Sequence, residues 1–187
     1  MRGLMFNYLL EYVESYSSYA VVDTILDASN LENKGSYTDG GMYKDADFTN
    51  LIETTSKTLE VPVSHLLLSC GKYIFPLLYQ KLLTIYNESS YNYGSINTAF
   101  DFIGMLEEIH YKEVVKLYPD SIFPHFEVIK RDNSMMEVVY HSQRNLPFLA
   151  KGMLEGCIEY FDKALTIEMQ DGSKKGSTHF IIRKEQA

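Results

Sequence analysis

The chain of 187 residues contains no tryptophan, only two cysteines, and fewer basic than acidic residues. A formal net charge of -8 leaves no basic stripe for binding phosphates, so nucleic acid and anionic membranes are excluded as partners. Cys70 and Cys157 lie in apolar, helix-like contexts without a C-x-x-C pair, which predicts two buried thiols in a cytosolic protein. No segment approaches the roughly 18 to 20 apolar residues that a bilayer-spanning helix needs.

The apolar content of 45% and the charged fraction of 22% are ordinary for a soluble globular protein. The length suits one well-filled core, so we expect a single domain over residues 1–187. The N-terminal sequence "MRGLMFNYLLEYV" is interrupted by Asn7 and Glu11 and lacks a small-residue cleavage site. It therefore predicts a helix of the fold and not a signal peptide.

Apolar residues in the first two thirds of the chain recur at helical spacing. Such spacing runs from Leu4 to about Leu26 and resumes at Asp47, with a polar loop from Asn30 to Tyr43 between them. Ser64 is expected to cap a long apolar helix, and Pro76 is expected to kink or break it after about three turns. A further helix is predicted from Phe102 to Tyr118.

His110 lies in the middle of the apolar stripe of that helix. On a wheel of about 100° per residue, the stripe is formed by Ile103, Leu106, His110, Val114 and Leu117. Burying an imidazole is costly unless both ring nitrogens are satisfied. By itself the position favours a core histidine bonded to a backbone carbonyl, and the alternative is a neutral imidazole that ligates a metal or cofactor.

The period of the pattern then changes from helix to strand. "HFEVIKRD" and "SMMEVVYHSQR" alternate as two antiparallel strands that turn at residues 131–133, and "LTIEMQDGSKKGSTHFIIRKE" predicts a second hairpin. Between the hairpins, a helix is predicted from about Leu146 to Ala164, capped by Asn145. Helices followed by hairpins indicate an α+β fold.

The stretch "VVYHSQR" places Tyr140, Ser142 and Arg144 at every second position of the predicted strand. Alternation would project the two hydroxyls and the guanidinium to one face. Such a face suits an anionic group, since a guanidinium pairs bidentately with carboxylate or phosphate. The alternative is an ordinary exposed strand whose arginine meets a surface glutamate.

No enzyme motif accompanies these residues. The chain has no G-x-S-x-G elbow, phosphate-binding glycine loop, H-E-x-x-H pair or calcium loop, and thiolates at Cys70 and Cys157 would be suppressed on apolar helices. A ligand that takes one imidazole in an apolar pocket, and also carries two carboxylates, is haem.

Several motifs in one order carry a family resemblance: "MRGLMFNYL", "LLLSCGKYIF", "IHYKEVVKLYPD" with "FPHF", "YHSQR" and "FLAKGMLEGCIEYF". With them the chain resembles the H-NOX family, the haem-nitric oxide/oxygen-binding domains related to the haem domain of soluble guanylate cyclase. The resemblance implies an N-terminal helical lobe, about residues 1–64, and a C-terminal lobe of helices and a small antiparallel sheet, about residues 65–187. Haem would lie between them.

The resemblance implies a non-covalent haem b with His110 as the iron ligand. The other residues it assigns are Tyr140, Ser142 and Arg144, which would clamp the propionates, and Pro124 and Met5, which would press on the porphyrin from opposite sides. Some members carry a zinc site near the C-terminus. The final hairpin has only His179 and no cysteine, so we expect no zinc.

On the distal side, the resemblance implies apolar residues where oxygen-binding members carry polar ones: Leu9, Ile74 and Leu149. Bound oxygen gains from a hydrogen-bond donor, whereas nitric oxide on ferrous iron depends on one much less. We therefore expect a nitric oxide sensor that excludes stable oxygen binding. Tyr8 and Tyr73 neighbour these positions and are the alternative donors.

The expected function is a cytoplasmic bacterial gas sensor, and not an enzyme, that binds nitric oxide and also CO. Weakening or rupture of the iron–histidine bond would signal to a separate protein, either a sensor histidine kinase or a cyclic-di-GMP enzyme. The alternative is a haem-free module that holds another apolar anion on the same fold. A haem enzyme ranks third, because it would want polar distal acid/base groups.

Overall fold

The computed structural model describes residues 1–85, 96–115, 122–172, 174 and 176–185. The chain divides into two compact units, Met1–Cys70 and Gly71–Ala187. The division falls inside one long helix, Val63–Ile85, which therefore contributes residues to each unit.

The first unit consists of helices. They are α1 (Gly3–Tyr16), α2 (Tyr19–Ser29), α3 (Asp45–Leu59) and the beginning of α4 (Val63–Ile85). The single helical stretch predicted from Leu4 to Leu26 is two helices, because Ser18 is extended and its side chain accepts the N–H of Val21. Packed inside this unit are the fully buried side chains of Phe6, Leu9, Val13, Ile25 and Leu51.

The helix α4 continues through Pro76 to Ile85, so of the predicted kink or break the break does not occur. It begins at Val63, which places Ser64 inside the helix and not at its N-cap. Among the described residues no single helix is long and apolar enough to cross a membrane; only α3 with most of α4, as a bent pair, satisfies that test by length and composition.

The second unit contains a four-stranded antiparallel sheet. Its strands are β1 (His125–Arg131), β2 (Met135–His141), β3 (Leu165–Asp171) and β4 (Ser177–Lys184), in the order β1-β2-β4-β3. Both predicted hairpins are present, and the α+β fold class is confirmed. In the first turn, Asp132 accepts the N–H groups of Ser134 and Met135, which holds the pKa of its carboxyl below the usual value.

The predicted helix from Phe102 to Tyr118 is not one continuous α-helix. Its described part is divided into α5 (Ala99–Gly104), α6 (Leu106–Ile109) and a π-helix (His110–Val114), and residues 116–118 lie outside the described part. The interruption falls at Met105, whose N–H donates to the carbonyl of Phe102 at 3.0 Å and so closes a tighter turn. The wheel that grouped Ile103 with Val114 assumed an uninterrupted helix and does not hold beyond this point.

The last helix, α7 (Pro147–Phe161), packs closely on the part of α4 in the same unit. A Cβ added to Gly71 would lie 2.4 Å from the carbonyl oxygen of Leu149 and 2.8 Å from the nitrogen of Met153. A Cβ on Gly156 would lie 3.0 Å from the carbonyl oxygen of Lys72. Lys72 is four residues before Pro76, and proline has no N–H to donate to the carbonyl of Lys72. Gly156 of α7 lies beside this carbonyl.

We expect Gly71→Ala to lower the free energy of unfolding by about 1–3 kcal/mol, because the added methyl meets backbone atoms that cannot rotate away. Urea denaturation of the two proteins measures the difference. Gly104→Ala is the matched control: its Cβ would meet only the end of the flexible Arg131 side chain, so the change should stay within about 0.5 kcal/mol. Equal stability of Gly71→Ala and the parent would contradict the close packing.

Candidate functional site

His110 is the first residue of the π-helix, and its ring lies beside two aromatic side chains. The ring centroid is 5.7 Å from that of Phe123, nearly parallel to it at 22°, and 6.1 Å from that of Phe126. Burial lowers the pKa of His110, and the charge of Glu107 opposes the shift. The imidazole is therefore neutral at physiological pH.

The Nδ1 atom of His110 is buried and has no hydrogen-bond partner within the part of the chain that the structure describes. Among the described residues no backbone carbonyl accepts a hydrogen bond from Nδ1, so at this nitrogen the alternative of a core histidine bonded to a backbone carbonyl has no support. A neutral imidazole with an unpaired buried nitrogen in apolar surroundings has the chemistry of a metal or cofactor ligand. Single-turn π-helices also occur frequently at functional sites.

Phe126 connects His110 to the sheet. It lies opposite Tyr140 in the β1–β2 register, and the two ring centroids are 5.3 Å apart. The ring centroid of Tyr140 is in turn 6.3 Å from that of Phe180 on β4. These aromatic side chains form one continuous row on the buried face of the sheet, which begins at the histidine.

Tyr140, Ser142 and Arg144 are brought together by a turn and not by strand alternation alone. The strand β2 ends at His141, so Ser142 and Arg144 lie in the connection to α7. The Oγ of Ser142 accepts the backbone N–H of Arg144 at 3.2 Å. Burial raises the pKa of Tyr140, and a side-chain hydrogen bond with Ser142 lowers it in part. The phenol and the serine hydroxyl therefore form one polar group at the end of the strand.

The guanidinium of Arg144 is joined to the segment that flanks His110. Its Nη1 donates to the carbonyl oxygen of Ile122 at 2.7 Å. Residues 122–126 thus contact the arginine at one end, through Ile122, and the histidine through Phe123 and Phe126. Pro124 lies half-buried in the middle of this segment. The structure therefore gathers His110, Pro124 and the polar turn around one short stretch of chain.

The predicted apolar positions are buried or half-buried. In the second unit, Ile74 on α4 is 1% exposed and Leu149 on α7 is 6% exposed. In the first unit, Leu9 is fully buried on α1 and Met5 is half-buried on the same helix. Tyr8 is buried. The roles of these positions toward a ligand stay predictions.

Glu107, which no sequence pattern singles out, binds two groups at the start of β1. One carboxylate oxygen accepts the backbone N–H of Phe126, and the other lies 2.7 Å from Nδ1 of His125. No motif or periodicity distinguishes Glu107 from the neighbouring Glu108, which pairs with Lys112 on its own helix. Only the fold, by placing α6 beside the edge strand, separates the two residues.

The chain was compared with known families and structures. The family model described as Haem-NO-binding matches residues 2–169. The unliganded Fe(II) H-NOX protein from K. algicida is 26% identical with a TM-score of 0.81, and the alignment covers 100% of this chain and 98% of that one. The H-NOX from Shewanella woodyi, solved bound to IWP-051 in the Fe(II)CO state, is 28% identical with a TM-score of 0.77, covering 98% and 94%.

A third structure supports the fold alone. The H-NOX protein from S. oneidensis in the Fe(II)NO state is 19% identical with a TM-score of 0.82 and is covered over the full length of both chains. Comparison with curated proteins gives no match.

The two thiols are predicted to be inert. Burial raises the pKa of Cys70 to about 12 and also raises the pKa of Cys157, so neither forms a thiolate at neutral pH. At pH 8 we expect a thiol-specific chromogenic disulfide to label the native protein far more slowly than the urea-unfolded protein, which should react at both cysteines. Rapid labelling of the native chain would show that at least one thiol is accessible.

Proposed function

The chain belongs to the haem-NO-binding family, and on that premise we propose that it is a haem-based sensor of nitric oxide and not an enzyme. The observation that carries the proposal is the neutral imidazole of His110, a half-buried residue whose Nδ1 atom is buried and has no partner among the described side chains and carbonyls. A residue of this kind is costly to keep in an apolar site unless it serves a ligand.

The residues present fit a non-covalent haem b. His110 would ligate the iron, and Arg144, with the hydroxyls of Tyr140 and Ser142, would bind the propionates through charge-assisted and neutral hydrogen bonds. Pro124 and Met5 would contact the porphyrin. When bound, ferrous haem supplies an iron that takes nitric oxide or CO as a ligand.

Gas selectivity is proposed to follow from apolar side chains around the gas. Leu9, Ile74 and Leu149 carry no donor, so oxygen, which acquires negative charge when it binds, would lose the hydrogen bond that stabilises it. Nitric oxide depends much less on a donor. The pocket is therefore proposed to admit nitric oxide and CO and to exclude stable oxygen binding.

Signalling is proposed to begin with weakening or rupture of the bond between the iron and His110. A histidine released from the iron would have a buried nitrogen without a partner, and that nitrogen would need a new hydrogen bond or a new position. The change would pass to a separate effector protein, for which a sensor histidine kinase and a cyclic-di-GMP enzyme are the two candidates. We place this signalling in the bacterial cytoplasm.

The first test is the absorption spectrum of the reduced protein, expressed with haem available, in nitrogen, in air and with nitric oxide. We expect a haem spectrum that is unchanged by air and shifted by nitric oxide. In His110→Gly the haem should be lost, or should return to its place only when free imidazole is added, because imidazole can replace the missing ligand.

Each other outcome has a distinct meaning. A colourless wild-type protein would overturn the haem proposal in favour of a module that binds another apolar anion. A spectrum that changes stably in air would overturn the oxygen exclusion and make Tyr8 or Tyr73 the donor to examine. A His110→Gly spectrum identical to that of the parent would show that His110 does not ligate the iron.

Leu149 gives a second test through a matched pair of variants. Leu149→Tyr introduces a hydroxyl donor, whereas Leu149→Phe adds nearly the same ring without one. We expect Leu149→Tyr alone to change its spectrum in air, with an effect of more than tenfold on oxygen affinity if one hydrogen bond of about 1.5 kcal/mol is gained. Oxygen titration of both reduced proteins measures this. The same oxygen affinity in both variants would place Leu149 away from the gas.

A further inference from the structure

Glu107 joins the helical segment that carries His110 to the edge of the sheet. It lies three residues before His110, on α6, and its carboxylate accepts the backbone N–H of Phe126 and pairs with Nδ1 of His125 at 2.7 Å. Both partners belong to the first two residues of β1, which is an edge strand. The carboxylate therefore binds an N–H group that a free sheet edge would expose.

The hydrogen bond to Glu107 holds Phe126, whose ring neighbours that of His110. Phe126 is held through its N–H by Glu107, is paired across the sheet with Tyr140, and lies 6.1 Å from the His110 ring. Fixing the backbone of Phe126 also fixes the end of the segment that begins at Phe123, the other ring against His110. Glu107 thus sets the spacing between the histidine and both of its aromatic neighbours.

Stability alone does not account for this arrangement. Glu107 is 43% exposed and His125 is 55% exposed, and ion pairs at such exposure contribute little to folding. Glu108, the next residue, makes its ion pair with Lys112 within the helix and gives α6 no link to the sheet through that pair. Glu107 and Glu108 are exposed to solvent to a similar degree. They differ in the groups that they bind: Glu107 binds the start of β1, and Glu108 pairs with Lys112.

We propose that Glu107 is a positioning residue that fixes the direction of the His110 ring by tying α6 to the start of β1. The proposal rests on the function proposed above, in which His110 is the iron ligand. Without the bonds made by Glu107, Phe123 and Phe126 would be free to shift, and the orientation of the His110 ring toward the iron would be held less firmly. A misoriented ring would form a weaker bond with the iron.

The test uses the haem-loaded ferrous protein and the variants Glu107→Ala, Glu107→Gln and Glu108→Ala. Resonance Raman spectroscopy reports the iron–histidine stretching band directly, independently of any signalling activity. We expect the band to move to lower frequency and broaden in Glu107→Ala and to stay in place in Glu108→Ala. Glu107→Gln should restore most of the band, since its amide oxygen can still accept the backbone N–H of Phe126.

A second readout confirms that the intended bond was removed. In the CO-bound protein, which is diamagnetic, the amide proton of Phe126 should resonate downfield in the parent and in Glu108→Ala, and move upfield in Glu107→Ala. Thermal melting shows that each variant is folded.

The outcomes separate this proposal from the one it rests on. If the Phe126 signal moves while the Raman band of Glu107→Ala equals that of the parent, Glu107 has no positioning role and the sensor proposal stands. An unchanged Phe126 signal in Glu107→Ala overturns the tie itself. A parent protein without haem, or without an iron–histidine band, overturns the function and this role together.

Discussion

The burial of one ring nitrogen of His110 beside aromatic side chains is the constraint on which the second unit depends. Water is excluded from Nδ1 of His110, and none of the described groups replaces it. An unsatisfied buried polar atom costs about 1–3 kcal/mol, a large share of the stability of a domain. The low pKa follows from the same exclusion of water, since a charged ring would be still more costly. The fold tolerates this residue at the start of a π-helix, a conformation that ordinary packing does not require.

The short stretch from Ile122 to Phe126 is the part of the fold that makes a site out of separate elements. Its first residue accepts a hydrogen bond from Arg144, and its last pairs with Tyr140 in the sheet. The turn after β2 therefore cannot move independently of the segment that packs on His110. An anionic ligand bound by the turn and a metal bound by the histidine would be held in a common frame, which is what a propionate-bearing haem requires.

Much of this could be predicted from the sequence, because alternation and helical spacing are local signals. The two hairpins follow from them. The interruption at Met105 and the π-helix could not be predicted, since they depend on packing and leave no mark on hydrophobic periodicity. The strand assignment of Ser142 failed for a related reason: the side chain of Ser142 bonds the backbone of Arg144 and closes a turn instead of continuing the ladder.

The aromatic row gives a physical reason why a change at His110 would not remain local. The ring neighbours Phe123 and Phe126, so a displacement toward either of them requires that side chain to repack. Phe126 lies in a strand whose register with Tyr140 fixes its side, and close-packed interiors respond to such a demand by discrete rearrangement, not by gradual deformation. The side chain of Tyr140 is bonded to Ser142, in the turn that leads to α7. A bond made or broken at the imidazole would therefore act on the sheet and on the polar turn through contacts already in place.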